Sequence, residues 1–279
     1  MRNFKEEYQR WLDSPALSEA EWQELKAIEN DEKEIESRFF EPLSFGTAGL
    51  RGTLATGLRN MNIHVVRHAT QAFANVIKAE GEEAVARGIA IAYDCRINSD
   101  VFAREAACVM AANGIKSLLT ESLRPTPELS FAVRHYGCQA GINVTASHNP
   151  KEYNGYKAYW EDGAQIAPEQ ANIVSAERAK FDVLDMSGIM DFDEGVKCGL
   201  ITILDEKFDE KYLDAAEKAV QMFIREDYTK YRDHWVSYAL NEVTMYAPKE
   251  EYFQFALDNA SKNLEKIYSQ KTPYNVFME

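Results

Sequence analysis

Short apolar segments alternate with segments of helical periodicity in the middle of the chain, and this alternation constrains the fold more than any other feature. The pattern predicts three strands, at 88–93, 115–120 and 140–145, and two helices, at 99–113 and 127–136. Strands that alternate with helices of this length form a sheet, at least partly parallel, with helices on both faces. The predicted fold class is therefore α/β, a three-layer α/β/α sandwich built on a mixed sheet.

In such a sheet, the residues that bind ligands or catalyse reactions usually lie in the loops that follow the strands. Ligands bind beyond the carboxyl ends of the strands, where neighbouring loops meet. Three loops occupy such ends here: 94–98, 122–126 and 147–154. We therefore expect these loops to converge at one edge of the sheet.

The segments on either side divide the chain into three parts. Residues 1–40 are predicted to be N-terminal helices, because Ser18 and Glu21 make a capping-box pattern ahead of apolar residues at helical spacing. Residues 41–205 are assigned to the α/β domain. Residues 206–279 are predicted to be a helical C-terminal segment in which Tyr231, Trp235 and Tyr238 share one helical face.

Within 41–205 the sequence predicts further local elements. The segment FGTAGLRGTLATGLRN, residues 45–60, is predicted to be a loop, because its four glycines break any periodicity. A helix is expected at 63–79, closed by Gly81. A hairpin that turns at Asp162 and Gly163 is expected beyond Gly155. A helix at 167–180 and a short strand at 199–204 complete the domain.

Charge and cysteine content exclude several classes of partner. Forty-five acidic residues against 31 basic ones give a net charge of -14, which argues against nucleic acid or an anionic membrane. The four cysteines include no CxxC pair, which disfavours a disulfide framework or a zinc site. The amino terminus lacks an apolar secretory core, and no apolar run could span a bilayer. We expect a soluble cytoplasmic protein.

The loop after the strand at 140–145 carries the strongest chemical signal. In GINVTASHNP, small residues flank Ser147, and Asn149 and Pro150 favour a turn directly after it. Such a serine could be an acyl nucleophile, a phosphate carrier or a turn cap. Acyl transfer is the weakest of these, because the GxSxG elbow is absent and His148 cannot easily fold back onto its neighbour's hydroxyl.

Five motifs in order resemble one enzyme family. They are FGTAGLRG at 45–52, YDCR at 93–96, RPTPE at 124–128, TASHNP at 145–150 and EYNGYK at 152–157. Together they resemble the first domain of the alpha-D-phosphohexomutases, the phosphoglucomutase and phosphomannomutase superfamily. The resemblance extends from about residue 1 to about residue 220.

The resemblance implies an intramolecular phosphotransferase, an isomerase of the glucose 1-phosphate/glucose 6-phosphate type that passes through a hexose 1,6-bisphosphate. Ser147 matches the serine that is phosphorylated in the family, and it would meet Mg²⁺ through its phosphate. Arg51 matches the arginine near that phosphoserine, and Lys157 matches a lysine that is a candidate general base. His148 is a second candidate for proton transfer or substrate contact, and Thr47 and Arg124 are candidate substrate-binding residues.

Other polar residues are assigned structural roles. Asp94 and Arg96 are predicted to order their loop, and Ser99 to cap the helix that follows. His64, His68, His135 and His234 have no second ligand at metal spacing and are predicted to be structural.

Three motifs of the full family enzyme have no match here. They are the DGDxDR loop that supplies three aspartate ligands to Mg²⁺, the GE(E/M)SG sugar loop and the RxSGTEP phosphate loop. Asp191 and Asp193, in MDFDEG, come nearest to the metal loop, but we interpret them as solvated acids. We expect a truncated, phosphoserine-bearing domain that is inactive alone. The alternative is a non-catalytic binding or assembly module that self-associates through its aromatic helical tail.

Overall fold

The computed structural model describes residues 3–46, 49–185 and 188–224, with the backbone alone from residue 219. Contacts divide the chain into two compact units, Met1–Tyr212 and Leu213–Glu279. The features below belong to the first unit, except for the part of the last helix that follows residue 212. Tyr231, Trp235 and Tyr238, which carry the assembly alternative, lie outside the described residues, as does His234.

Six strands form one mixed sheet. They are β1 (Leu50–Thr53), β2 (Ile89–Tyr93), β3 (Ser117–Thr120), β4 (Ala140–Val144), β5 (Tyr153–Trp160) and β6 (Ile201–Leu204). Their order is β1-β5-β4-β2-β3-β6. Strand β2 runs parallel to β3 and β4, and β3 runs parallel to β6. Strand β5 runs antiparallel to both β4 and β1, so the carboxyl ends of all strands except β5 point to one edge.

The described residues contain ten helices. They are α1 (Phe4–Leu12), α2 (Glu19–Ala27), α3 (Glu32–Phe39), α4 (Ile63–Ala79), α5 (Glu82–Arg87), α6 (Ser99–Ala112), α7 (Thr126–Tyr136), α8 (Pro168–Arg178), α9 (Phe192–Lys197) and α10 (Glu206–Ile224).

The central strand β2 shows how the layers form. Its side chains alternate between the two faces of the sheet, as in any strand. Ile89 and Ile91 pack into the large apolar cluster that includes Phe73 of α4 and Phe102 of α6. Ala90 and Ala92 pack into a smaller cluster with residues of α7 and with Phe208 of α10. Helices therefore cover both faces, and the predicted α/β sandwich is confirmed.

Capping explains why two predicted helices begin where they do. Helix α4 has the predicted bounds, and the Asn62 side chain accepts a hydrogen bond from Val65 N at 3.0 Å. The predicted capping box opens α2, where Ser18 N donates to a Glu21 carboxylate oxygen at 2.8 Å and Glu21 N donates to Ser18 Oγ at 3.4 Å. These local bonds satisfy amide groups that a helix start leaves without partners.

Two local predictions were wrong. The segment 45–60 is not loop throughout, because it contains β1, whose Arg51 pairs with Gly155 of β5. Four residues are too few to show alternation, and partners about a hundred positions away supply the hydrogen bonds of this strand. The hairpin beyond Gly155 turns at the predicted residues, where Gly163 N donates to Trp160 O at 2.9 Å. Its second arm was wrong, because it is a single bridge between Tyr159 and Gln165, and β5 begins earlier, at Tyr153.

Glycines let β1, β5 and the loop after β4 approach closely. A Cβ added to Gly155 would lie 2.6 Å from Thr145 O and 2.9 Å from Leu50 O. A Cβ added to Gly49 would lie 1.9 Å from Tyr156 O. Any side chain at these positions would therefore force the backbones apart beside the candidate site.

Candidate active site

The three loops predicted to converge do so at the carboxyl edge of the sheet. Arg124 N, after β3, donates to Tyr93 O at the end of β2 at 2.9 Å. The Tyr93 hydroxyl donates in return to Glu121 O at 3.2 Å. Asp94 N donates to Val144 O, at the end of β4, at 3.1 Å. Main-chain bonds between strand ends therefore fix the relative positions of the loops.

Ser147 is exposed and has an unusual backbone. Its φ is 58°, in the left-handed region, which costs a residue with a Cβ about 1 kcal/mol. Its amide donates to Thr145 Oγ1 at 2.9 Å, and its own Oγ lies 3.5 Å from His148 Nδ1. Such a conformation persists only where the surroundings enforce it. The turn therefore presents the Ser147 hydroxyl to solvent at the edge of the sheet.

Arg96 enforces the shape of this turn. Its Nη2 donates to Ser147 O and to Asn149 O, both at 2.7 Å. Its Nη1 donates to Pro150 O at 2.9 Å and to Tyr153 O at 3.1 Å. One guanidinium therefore binds four main-chain carbonyls of the Ser147 turn, residues 147–153.

Asp94 and Arg96 are bonded to each other in the loop that they were predicted to order, whereas the predicted role of Ser99 needs correction. The Asp94 carboxylate accepts from Arg96 N at 3.0 Å and lies 3.3 Å from Arg96 Nε. It also accepts from Ser99 Oγ at 2.8 Å. Ser99 is not the helix cap, because Asn98, with φ of 64°, occupies that position in α6. Ser99 instead joins the bonds that hold Asp94.

Asn154 is an ordering residue that the sequence analysis missed. Its buried side chain donates to Ile97 O at 2.9 Å and to Ser99 Oγ at 3.0 Å. It thereby ties the start of β5 to the loop after β2. The available sequence signal for Asn154 was its place in the EYNGYK motif, directly before Gly155. The structure shows that Gly155 has no room for a side chain.

Arg51 and Lys157 lie on one face of the sheet beside the Ser147 turn. Arg51 pairs with Gly155, and side chains two positions apart on a strand point the same way, so Arg51 shares a face with Lys157. Arg51 is exposed, and its Nη1 donates to Asn149 Oδ1 at 3.0 Å. Lys157 is half-buried and pairs with Asn143 of β4. Arg51 therefore contacts the turn, and Lys157 lies on the same face of the sheet, on the neighbouring strand β5.

Arg124 is bound to carboxylates within the fold. Its Nε and Nη2 donate to the two Asp209 oxygens at 2.7 and 2.5 Å, and its Nε lies 3.8 Å from Glu128. Burial, together with the hydrogen bond to Asp209, raises the pKa of Glu128 to about 7. The hydrogen bond from Arg124 lowers the pKa of Asp209. We call these three residues the Arg124 cluster, and it joins α7 to the first turn of α10.

The remaining predicted residues occupy different settings. His148 is exposed beside Ser147, whereas Thr47 lies outside the described residues. Buried His64 bonds to Glu21 at 3.0 Å, and His68 contacts the main-chain oxygen of Arg178 at 2.8 Å. Burial lowers the pKa of His68 to about 4. Asp191 caps α9 by accepting from Glu194 N at 3.0 Å.

The residues near Ser147 do not by themselves form a magnesium site. Mg²⁺ requires several oxygen ligands in octahedral array. Asp94, the carboxylate beside the turn, is bound to Arg96 and Ser99. Among the described residues no group of three His, Cys, Asp or Glu side chains could hold a metal ion. Within the same residues, none of the helices combines the length and apolarity needed to cross a membrane.

Comparison with known proteins identifies close similarity to one family. The family described as phosphoglucomutase/phosphomannomutase, alpha/beta/alpha domain I, matches residues 42–182, half of the chain. A phosphoglucomutase of Staphylococcus saprophyticus is 38% identical over 181 residues, which are 65% of this chain and 32% of that protein. A phosphopentomutase of Mus musculus is 36% identical over 174 residues, 60% of this chain and 28% of that protein.

A solved structure, described as a putative phosphomannomutase from Thermus thermophilus, is 30% identical with a TM-score of 0.49, covering 59% of this chain and 33% of that one. The chain therefore spans about a third of the length of the relatives it matches.

Proposed function

Because this chain belongs to the phosphoglucomutase/phosphomannomutase family, we propose that residues 41–205 are its phosphoserine-bearing domain and that Ser147 carries a phosphoryl group to and from a hexose phosphate. One observation carries the proposal. The Ser147 hydroxyl is exposed on a turn held in a left-handed conformation, and the Arg51 guanidinium is bonded to that turn through Asn149. A turn cap would have its hydroxyl bonded to a backbone amide, but within the described residues the polar contact of Ser147 Oγ is with the His148 ring, at 3.5 Å.

The proposed step is a displacement at phosphorus. Ser147 Oγ forms a bond to one phosphorus of a hexose 1,6-bisphosphate as the bond from that phosphorus to the sugar oxygen breaks. The hydroxyl proton passes to the departing sugar oxygen. In the reverse transfer a sugar hydroxyl attacks the phosphorus of phosphoserine, the bond from that phosphorus to Ser147 Oγ breaks, and the proton of the sugar hydroxyl ends on Ser147 Oγ. Lys157, with its amine neutral, is the candidate general base that takes this proton from the sugar hydroxyl and passes it on. A phosphoserine adds about 1.5 to 2 negative charges, so the approach of an anionic sugar requires nearby cations.

Arg51 is the cation best placed for this neutralisation. Its guanidinium is exposed and touches the turn through Asn149, so it can bind phosphate oxygens as well. His148, exposed next to Ser147, is a second proton acceptor within the turn. We assign substrate contacts to Thr47, and to Arg124 only if it leaves Asp209, because its guanidinium is bound there.

We propose further that this chain alone interconverts glucose 1-phosphate and glucose 6-phosphate at a negligible rate. Phosphoryl transfer depends mainly on positioning and on neutralising charge. The described residues contain no group of three His, Cys, Asp or Glu side chains that could hold Mg²⁺, so its contact here would be through a phosphate on Ser147. The sugar-binding motifs of the family have no match in the sequence. Activity would then require groups supplied by other polypeptide segments.

The test measures phosphorylation of Ser147 separately from the conversion of sugar phosphate. The purified chain is incubated with glucose 1,6-bisphosphate and Mg²⁺, and peptide mass spectrometry measures phosphate on Ser147. We expect one phosphoryl group on Ser147 in the wild type and none in Ser147→Ala. Phosphate on another residue, or on none, overturns the proposal. A coupled assay with glucose 1-phosphate, and in parallel with ribose 1-phosphate, is expected to show no turnover above Ser147→Ala.

A further inference from the structure

Both terminal nitrogens of Arg96 contact the Ser147 turn. Four carbonyls, of residues 147, 149, 150 and 153, surround the two terminal nitrogens at 2.7 to 3.1 Å. The side chain is only 13% exposed. A cation so placed has no donor left on these nitrogens for a phosphate, so any effect on transfer must act through the turn.

The Ser147 turn needs the hydrogen bonds from Arg96 because its backbone conformation is unfavourable without them. Ser147 has a positive φ, and the peptide unit that follows must be held against relaxation to the right-handed region. Arg96 binds the carbonyl of Ser147 itself and, through the same nitrogen, that of Asn149. These two bonds fix the direction of the peptide on the carboxyl side of the hydroxyl-bearing residue.

The Arg96 side chain is itself oriented before it meets the turn. Asp94 lies 3.3 Å from its Nε, and Ser99 and Asn154 hold Asp94 and the adjoining loop in turn. The planar guanidinium offers five donors in a fixed arrangement, whereas the lysine ammonium offers three on a flexible stem. A lysine at position 96 could not reach four carbonyls spread over seven residues.

We propose that Arg96 is a positioning residue for phosphoryl transfer: it holds Ser147 in the left-handed conformation that directs the hydroxyl toward substrate. The inference rests on the proposed function of Ser147. Misplacement of a reacting atom by about 1 Å costs on the order of 100-fold in rate. Loss of Arg96 should therefore slow transfer to Ser147 while leaving the concentration of bisphosphate needed for half-maximal rate nearly unchanged.

The experiment compares Arg96→Ala with a matched control, Arg87→Ala. Arg87 also binds main-chain carbonyls, those of Gly137 at 2.9 Å and Cys138 at 3.1 Å, but at the opposite edge of the sheet. Single-turnover phosphorylation of Ser147 by glucose 1,6-bisphosphate is expected to slow by about 100-fold in Arg96→Ala and by less than threefold in Arg87→Ala. Guanidinium ion at millimolar concentration should restore part of the rate in Arg96→Ala, whereas Arg96→Lys should remain slow.

A second readout does not depend on phosphorylation. Hydrogen exchange measured by mass spectrometry should rise in the peptide that spans 146–153 in Arg96→Ala and stay at the wild-type level there in Arg87→Ala. If the wild type takes no phosphate, the proposed function fails, and exchange alone decides whether Arg96 holds the turn. Wild-type exchange and a wild-type rate in Arg96→Ala overturn the inference. Should Arg96→Ala not fold, Asp94→Asn, which keeps the guanidinium, is expected to give the same changes to a smaller extent.

Discussion

Two arginines at the carboxyl edge of the sheet are bound within the fold, but to different kinds of partner. Arg96 binds four main-chain carbonyls of the Ser147 turn, whereas Arg124 binds the Asp209 carboxylate and lies near Glu128. Carbonyls do not titrate, so the groups that accept the Arg96 hydrogen bonds in the Ser147 turn do not change with pH. The Arg124 cluster contains one carboxyl, that of Glu128, whose pKa burial raises to about 7. The carboxyl edge of the sheet thus contains one arginine whose partners do not titrate and one, in the Arg124 cluster, whose neighbour Glu128 does.

The largest expected effect is on the rate of Ser147 phosphorylation, when Arg51 is replaced. Its guanidinium is exposed, unlike those of Arg96 and Arg124. Arg51→Ala is expected to lower the rate of Ser147 phosphorylation by about 100-fold, because removing one donor that stabilises developing charge typically costs that much. Arg59→Ala is the matched control, since Arg59 is also exposed and makes only a surface ion pair with Glu41 at 3.4 Å. Equal rates in the two variants, measured by single-turnover mass spectrometry, would remove Arg51 from the site.

The next effect is on stability. Arg124→Ala leaves the Glu128 and Asp209 carboxyls without their cation and should lower the free energy of unfolding by about 2 kcal/mol. Urea denaturation measures this loss. Phosphorylation of Ser147 in the folded variant should change by less than threefold if the Arg124 cluster is structural. A much slower transfer would instead place Arg124 in substrate binding.

The pH dependence of stability distinguishes the two arginines directly. The pKa of Glu128 is raised above its value in the unfolded chain, so the folded state binds more protons than the unfolded state between about pH 4.5 and 7. Stability from this group is present at the acid end of that window and is lost as pH rises to about 7.

Glu128→Gln removes the titration. The free energy of unfolding of the wild type relative to Glu128→Gln should therefore fall between pH 5 and 7 and stay level above pH 7. His68 acts in the opposite direction in both proteins, because its pKa is lowered, and so it cancels in the difference. A difference that does not vary with pH would show that Glu128 is ionised throughout. Exchange in 146–153, corrected for the intrinsic pH dependence, is expected to stay constant over the same range.

The smallest effect tests the backbone of Ser147. Ser147→Gly and Ser147→Ala both remove the hydroxyl, but glycine adopts a positive φ without a steric cost. Because glycine also loses more conformational freedom on folding, Ser147→Gly should be more stable than Ser147→Ala by only about 0.5 kcal/mol. Chemical denaturation of the pair measures the difference. If alanine is the more stable of the two, Ser147 does not hold a left-handed conformation in solution.

Local patterns made some of these features predictable. The helical pattern closed by Gly81 predicted α4 at its observed bounds, and Ser18 with Glu21 predicted the start of α2. The alternation of strands and helices predicted which loops would meet. The predicted roles of Ser147, Arg51, Lys157 and His148 came from motifs, and the structure places these residues at one edge without testing those roles.

Other features depend on contacts between distant residues and could not be read from the sequence. Strand β1 owes its hydrogen bonds to β5. Arg124 could be named as a candidate for phosphate contact, but its partner Asp209 is 85 residues away and gave no local signal. The four carbonyls that Arg96 binds are main-chain atoms, which every residue possesses. A pattern of side chains in the sequence therefore cannot predict which carbonyls Arg96 binds.

The left-handed backbone at residue 147 also determines how a permanently charged form of the turn could be made. Aspartate and asparagine enter this region of backbone space several times more readily than most residues with a Cβ. Ser147→Asp would therefore place a fixed negative charge at the tip with little added distortion, and its carboxylate would face the same solvent as the native hydroxyl. Such a variant offers a stable mimic of the charged intermediate for crystallisation with sugar phosphates.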